Sequence, residues 1–225
     1  MIERNLQDVR SRIEAACQRA GRDPGRVTLV AVTKSVGVPE VLELARRGQR
    51  VFGENRVQDA LHKHRELAEQ PLEWHMIGHL QRNKVRDALR VFSMIHSVDG
   101  ERLAVEIEKE AVKLGRTVPV LIEANVSGEE AKFGAPPAEV PALAMSIAGM
   151  PHMRLEGLMT MAPLVDDPEK TRPVFRALRE LLEELRVRGL PGTELRHLSM
   201  GMTQDFEIAI EEGATMVRVG TALFR

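Results

Sequence analysis

Three kinds of feature in this 225-residue chain could do chemistry: one amine, two glycine- and hydroxyl-containing turns, and one arginine. The amine is Lys34. It follows the nearly continuous apolar, β-branched run Val27-Thr28-Leu29-Val30-Ala31-Val32. A lysine at the end of such a strand projects toward the rim of the sheet. Partial burial there would lower its pKa and free the amine as a nucleophile, including toward an aldehyde carbon. Position alone favours a solvated lysine that opens a loop. The first turn is Leu198-Ser199-Met200-Gly201-Met202-Thr203, which runs into a helical stretch and so offers free N–H groups to an anion. The second is Arg218-Val219-Gly220-Thr221. Alternation puts Val217 and Val219 on one face of the last strand and Met216, Arg218 and Gly220 on the other. If the valines face helices, Arg218 faces the mouth.

These groups need a frame. The spacing Ile2, Leu6, Val9, Ile13, Ala16, Ala20 predicts an N-terminal helix that stops near Gly21. After it, strands are expected at 27–32, 50–53, 73–77, 91–96, 118–124, 154–159, 194–198 and 215–219. Helices are expected between them at 39–48, 55–68, 81–90, 100–114, 137–148, 167–189 and 204–212. Eight units in 225 residues leave about 28 residues each, room for a compact βα repeat. The unbroken alternation predicts one α/β domain over residues 1–225, a (β/α)8 TIM barrel. Six residues follow Val219, too few for an eighth helix, so the N-terminal helix is expected to close the outer ring. An open doubly wound sheet is the alternative, but no G-x-G-x-x-G turn follows the first strand.

In a (β/α)8 barrel the site forms at the C-terminal strand ends, and the loops after strands seven and eight are the customary phosphate site. A reactive lysine beside a phosphate cradle points to a phosphorylated aldehyde. Pyridoxal phosphate is the common one, with a lysine as its usual tether. A Schiff-base aldolase acting on a sugar phosphate would use the same two features. A metal-dependent hydrolase is a weaker reading. His62/His64 and His75/His79 have ligand-like spacing, but residues 73–77 read as a strand and no H-E-x-x-H occurs.

Composition narrows the partners. Lys and Arg total 32 against 33 Asp and Glu, and aromatics are only 3%, so neither a nucleic acid nor an anionic membrane is an expected partner. Cys17 is the only cysteine, which excludes an intramolecular disulfide. No apolar run is long enough to span a bilayer, and the charged start leads into no signal-like segment. The expectation is a cytoplasmic protein, and a monomer. The charged stretches Glu101–Lys113 and Arg172–Arg188 read as solvated helix faces.

Several segments, in order along the chain, resemble the pyridoxal phosphate homeostasis protein family (YggS/PROSC-like). They are Ala31-Val32-Thr33-Lys34, Phe52-Gly53-Glu54-Asn55 with Val57-Gln58, and Trp74-His75-Met76-Ile77-Gly78-His79-Leu80-Gln81 with Lys84. Further on come Ser97-Val98-Asp99, Glu123-Ala124-Asn125-Val126-Ser127 with Lys132 and Gly134, and Gly157-Leu158-Met159. The last are Leu198-Ser199-Met200-Gly201-Met202 with Asp205, and Met216-Val217-Arg218-Val219-Gly220-Thr221. The resemblance implies a barrel like the N-terminal domain of alanine racemase, with pyridoxal phosphate held as an internal aldimine on Lys34. It implies that Ser199, Gly201, Arg218, Gly220 and Thr221 hold the phosphate end. Asn55 would line the ring pocket, with His75 and Met76 as third-strand neighbours. Whether Arg218 meets the phosphate or the pyridine nitrogen is open at this stage. The family has no established reaction; it is regarded as balancing the cofactor pool and as passing cofactor to apoenzymes. Position 56 departs from the pattern, being Arg56 where relatives are often aromatic.

The alternative within the resemblance is an amino-acid racemase or transaminase-like enzyme of low activity. A racemase of this fold needs a base on each face of the ring, customarily a lysine and a tyrosine. This chain has no tyrosine. A histidine or water would have to substitute.

Overall fold

A computed structural model describes residues 1–129 and 133–225; Lys132, part of the resemblance above, lies outside the described residues. Eight parallel strands close in sequence order into a barrel. They are β1 (Thr28–Val32), β2 (Val51–Glu54), β3 (Glu73–Met76), β4 (Met94–Val98), β5 (Val118–Glu123), β6 (Met153–Met159), β7 (His197–Ser199) and β8 (Met216–Val219). Between them lie α2 (Val38–Arg46), α3 (Val57–Glu66), α4 (Val85–Ala88), α5 (Glu101–Leu114), α6 (Val140–Ala148), α7 (Arg172–Arg188) and α8 (Phe206–Glu211). The barrel is the expected fold, closed by pairing of β1 with β8 in the register Val30↔Arg218.

Alternation along the strands sorts two layers. Val30, Met94, Leu121, Met159 and Met216 pack together inside the barrel. Ala31, Phe52, Trp74, Met76, Ile122 and Val217 face outward into the helix layer. Outward-facing strand residues are as apolar as inward ones because both faces are covered, which is why the strands read as continuous apolar runs.

The N-terminal helix α1 (Ile2–Arg19) buries Ile2, Leu6, Val9, Ile13, Ala16 and Cys17. It packs against α8 and α2, where an eighth helix would stand. The chain does form one more turn of helix, α9 (Thr221–Phe224), where the sequence offered none. Asn5 Nδ2 donates to the Leu223 and Arg225 carbonyls at 3.3 and 3.2 Å, tying α1 to that turn.

Several boundaries differ from the sequence expectation by a few residues, and three of them have a visible cause. Val91 and Phe92 are not strand: their N–H groups close the turn after α4 on the Ala88 carbonyl, and Phe92 fills the core. β4 therefore starts at Met94. The helix expected at 81–90 divides into a 3-10 turn, Arg82–Lys84, and the short α4. β7 begins at His197, although the N–H groups of Glu194 and Arg196 already donate to Leu155 and Glu156 carbonyls. At that point β6 bulges: Val120 pairs with Leu155 but Leu121 with Gly157. Gly157 has φ +154°, and a Cβ there would sit 1.9 Å from the His197 carbonyl oxygen. Only glycine fits this bulge.

The α7 face expected to be solvated is partly engaged. Arg172, Arg176 and Arg179 converge on the buried Glu212 at 3.2, 3.2 and 3.1 Å. Among the described residues no helix is long and apolar enough to cross a membrane.

Candidate cofactor site

A cavity of about 470 Å³ opens at the C-terminal ends of the strands. Its walls come from the ends of β1, β2, β3, β6, β7 and β8, the position where barrels of this kind build their sites. Lys34 lines one side with Val32 and Asn55. The turns after β7 and β8 line another, through Met202, Thr203, Gln204, Asp205, Gly220 and Thr221. Arg218 lines the interior end and is 4% exposed. Lys34 is the only lysine among the described lining residues, and it is exposed at the mouth rather than partly buried as expected.

Lys34 is positioned from behind. Thr33 faces outward and its N–H donates to the Gly53 carbonyl at 3.0 Å. Its hydroxyl donates to Glu54 Oε1 at 2.6 Å. Lys63 of α3, itself buried, donates from Nζ to the Thr33 carbonyl at 2.7 Å and to Glu54 Oε1 at 2.6 Å. The buried ion pair thus grips the residue just before Lys34. Glu54 Oε2 is buried with no hydrogen-bond partner, so its charge depends on Lys63.

The remaining sequence-predicted residues are distributed unevenly. His75 faces into the barrel below the cavity, while Met76, one residue on, packs outward against the helix layer. Neither lines the cavity. Ser199 is fully buried and is likewise absent from the lining. Gly201 sits in the turn with φ +91°, where a Cβ would lie 2.6 Å from Ala209 Cβ. Its absence lets α8 approach the strand end, and its carbonyl accepts from the Arg218 N–H at 2.9 Å. In sequence Thr203 reads only as part of a turn and Gln204 as the start of the following helix, which begins at Phe206; both line the cavity. The Asp205 carboxylate accepts from the Met202 N–H at 2.6 Å and is itself pushed up in pKa by burial.

The mouth carries an outer rim. His79 and Phe133 stack with centroids 4.5 Å apart, and His79 Nδ1 lies 3.3 Å from Asp99 Oδ2. Among the described residues no three His, Cys, Asp or Glu side chains converge as a metal site. His75 and His79 are separated accordingly, one inside the barrel and one at the rim.

Glu123 is a buried acid that sequence reasoning did not single out, on the inward face of β5 with Leu121. Burial pushes its pKa up to about 7, against the pull of Arg218 and with a small push from Asp99. A folded-state pKa above the unfolded one means that the unfolded chain holds fewer protons between these values. Stability should therefore fall as pH rises from about 4.5 toward 7 and beyond. Glu123→Gln removes this dependence. Relative to the parent, the variant is expected to gain roughly 2 kcal/mol more at pH 8 than at pH 5, read from urea unfolding at both values. Equal differences at the two pH values would show that Glu123 ionises normally.

Comparison with known proteins agrees with this geometry. The family described as alanine racemase, N-terminal domain, matches residues 4–225. The chain is 46% identical to the pyridoxal phosphate homeostasis protein of Aquifex aeolicus, over 97% of this chain and 95% of that one. It is 38% identical to the Escherichia coli K12 protein of the same name, over 99% and 95%. Among solved structures, PipY of Synechococcus elongatus with PLP bound superposes with a TM-score of 0.88 at 36% identity, covering 100% of both chains. An alanine racemase from Clostridium difficile shares the fold alone: TM-score 0.74 and 15% identity, with 99% of this chain laid on 55% of that one. Sequence and fold, over nearly the whole length, place the chain in the pyridoxal phosphate homeostasis protein family.

Proposed function

We propose that this protein binds pyridoxal phosphate in the strand-end cavity, holds it covalently through Lys34, and serves to keep or deliver the cofactor rather than to catalyse. One observation carries the reading: among the described residues a single lysine, two hydroxyl-bearing turns and a buried arginine line one cavity. The cofactor supplies an aldehyde open to a primary amine, a phosphate dianion and a pyridine ring. Lys34 is the amine in reach. Thr203, Thr221 and the N–H groups opening the turns after β7 and β8 supply donors suited to the phosphate. Arg218 then meets the pyridine nitrogen. Its position below Gly220 on β8, inside the barrel, supports the ring end over the phosphate end. A fixed guanidinium there disfavours protonating the nitrogen and weakens the ring as an electron sink. Burial lowers the pKa of Arg218 to about 10, which still leaves it charged at neutral pH.

The same arrangement argues against racemase chemistry. Among the described lining residues the candidates for a second base are His79, beside Asp99, and Asp205, held by the Met202 N–H; neither is the tyrosine that such a racemase customarily uses. The whole of residues 1–225 acts as one cytoplasmic, monomeric carrier in this reading, with pyridoxal phosphate-dependent apoenzymes as recipients. The near-neutral charge and lone buried Cys17 agree with that setting.

Titration of the purified protein with pyridoxal phosphate and with pyridoxal tests the reading. A visible band should saturate at one equivalent of the phosphate ester, and pyridoxal should bind at least tenfold more weakly for lack of the turn contacts, about 1.4 kcal/mol. Equal affinity for both would remove the phosphate cradle from the account.

A further inference from the structure

We infer that Ser199, His96 and His75 are positioning residues for Arg218: a buried hydrogen-bonded chain that aims its guanidinium at the cavity, not contacts of the phosphate. The inference rests on the cofactor reading above and gives Ser199 a different place from the one that the family resemblance implies.

Arg218 Nη1 donates to Ser199 Oγ at 2.7 Å. Ser199 Oγ lies 2.9 Å from His96 Nδ1, and His96 Nε2 lies 3.0 Å from His75 Nδ1. The four side chains come from β8, β7, β4 and β3, so the chain crosses the barrel interior. Its polarity can be worked out. A guanidinium has no acceptor, so Arg218 must donate to the hydroxyl. The hydroxyl has one proton to give, and we assign it to His96 Nδ1, which places the proton of His96 on Nε2, toward His75 Nδ1. Both imidazoles are kept neutral chiefly by burial, His75 down to about 4 and His96 well below the usual range. The charged and titratable groups that face this chain are Arg218 itself, Glu123 on β5, Asp205 ahead of α8, and His197 on β7.

The hydroxyl of Ser199 is used at both ends and is fully buried. With its proton given to His96 in this assignment, it has none left for a phosphate. The second arm of the fork is fixed too, since Arg218 Nη2 donates to the Thr160 carbonyl at 2.8 Å. Pinned from β7 and from the segment after β6, the guanidinium keeps one edge for the cavity it lines. The hydroxyl after β7 that does line the cavity is Thr203.

The test measures binding of pyridoxal phosphate and pyridoxal to the parent, Ser199→Ala, Thr203→Ala, Arg218→Lys and the Ser199→Ala/Arg218→Lys double variant. Losing one buried, charge-assisted hydrogen bond should weaken both ligands to Ser199→Ala by about tenfold, leaving their ratio within about twofold of the parent's. Thr203→Ala should weaken pyridoxal phosphate selectively. In the Arg218→Lys background, Ser199→Ala should cost less than about twofold more, because its effect runs through the guanidinium. His96→Asn, whose amide can both accept and donate, should bind more tightly than His96→Leu; this comparison stands if Arg218→Lys does not fold. A Ser199→Ala chain that loses only the phosphate ester, or whose full effect persists beside Arg218→Lys, overturns the inference and leaves the cofactor reading standing. A parent that binds neither ligand overturns the cofactor reading itself.

Discussion

Replacing Lys34 with alanine is expected to abolish the visible, borohydride-sensitive band that forms with pyridoxal phosphate. The loss should be complete rather than partial. Lys34 is the only lysine among the described residues lining the cavity, and Lys63, the nearest buried amine, is spent on Glu54 and the Thr33 carbonyl on the outer side of the barrel. Among the described residues no second amine is placed to substitute. The turns after β7 and β8 do not depend on Lys34, so the variant should still bind the ester, more weakly and without colour, by equilibrium dialysis. A variant that keeps the band would mean that the aldehyde is held elsewhere.

Replacing Lys63 with methionine is expected to lower stability by about 3–5 kcal/mol, the usual result of stranding one partner of a buried ion pair. Glu54 Oε1 would lose its cation, and Oε2 already has no partner. At roughly 2–4 °C per kcal/mol for a chain of this size, the melting temperature should fall on the order of 10 °C. The effect should reach the site, because Lys63 also holds the Thr33 carbonyl one residue before Lys34. Adding Glu54→Leu to Lys63→Met should recover most of the stability, since the uncompensated carboxylate goes with it. Affinity for pyridoxal phosphate should remain reduced in that double variant, because neither new side chain can bond Thr33. Full recovery of both properties would make the pair a purely structural contact.

The barrel was legible because its strands are buried on both faces. Runs such as Val27–Val32 and Val118–Ala124 carry no alternation to confuse with a helix, and each is followed by a periodic segment. Val91-Phe92 misled for the same reason. Two apolar residues before Met94 extend a run by composition, while in space they cap α4. Lys34 and the turns around Thr203 and Gly220 were visible because strand ends and phosphate loops are local features of the chain.

The chain behind Arg218 was not visible. Its members come from four strands, and the link from His96 to Ser199 spans 103 positions. No periodicity encodes such a meeting. Alternation could have separated His75 from Met76, since adjacent strand residues face opposite ways, but only after the face of β3 was known. Lys63 sits among His62, His64, Arg65 and Glu66, and residue type alone does not distinguish the one buried member. The arginines of α7 that converge on Glu212 were hidden in the same way.

The most direct test of a covalent link through Lys34 is to load the purified protein with one equivalent of pyridoxal phosphate, reduce it with borohydride, digest it and locate the adduct by mass spectrometry. Close to one adduct per chain is expected, on the peptide containing Lys34. An adduct spread over Lys84, Lys109, Lys113 and Lys170, or no adduct at all, would contradict it.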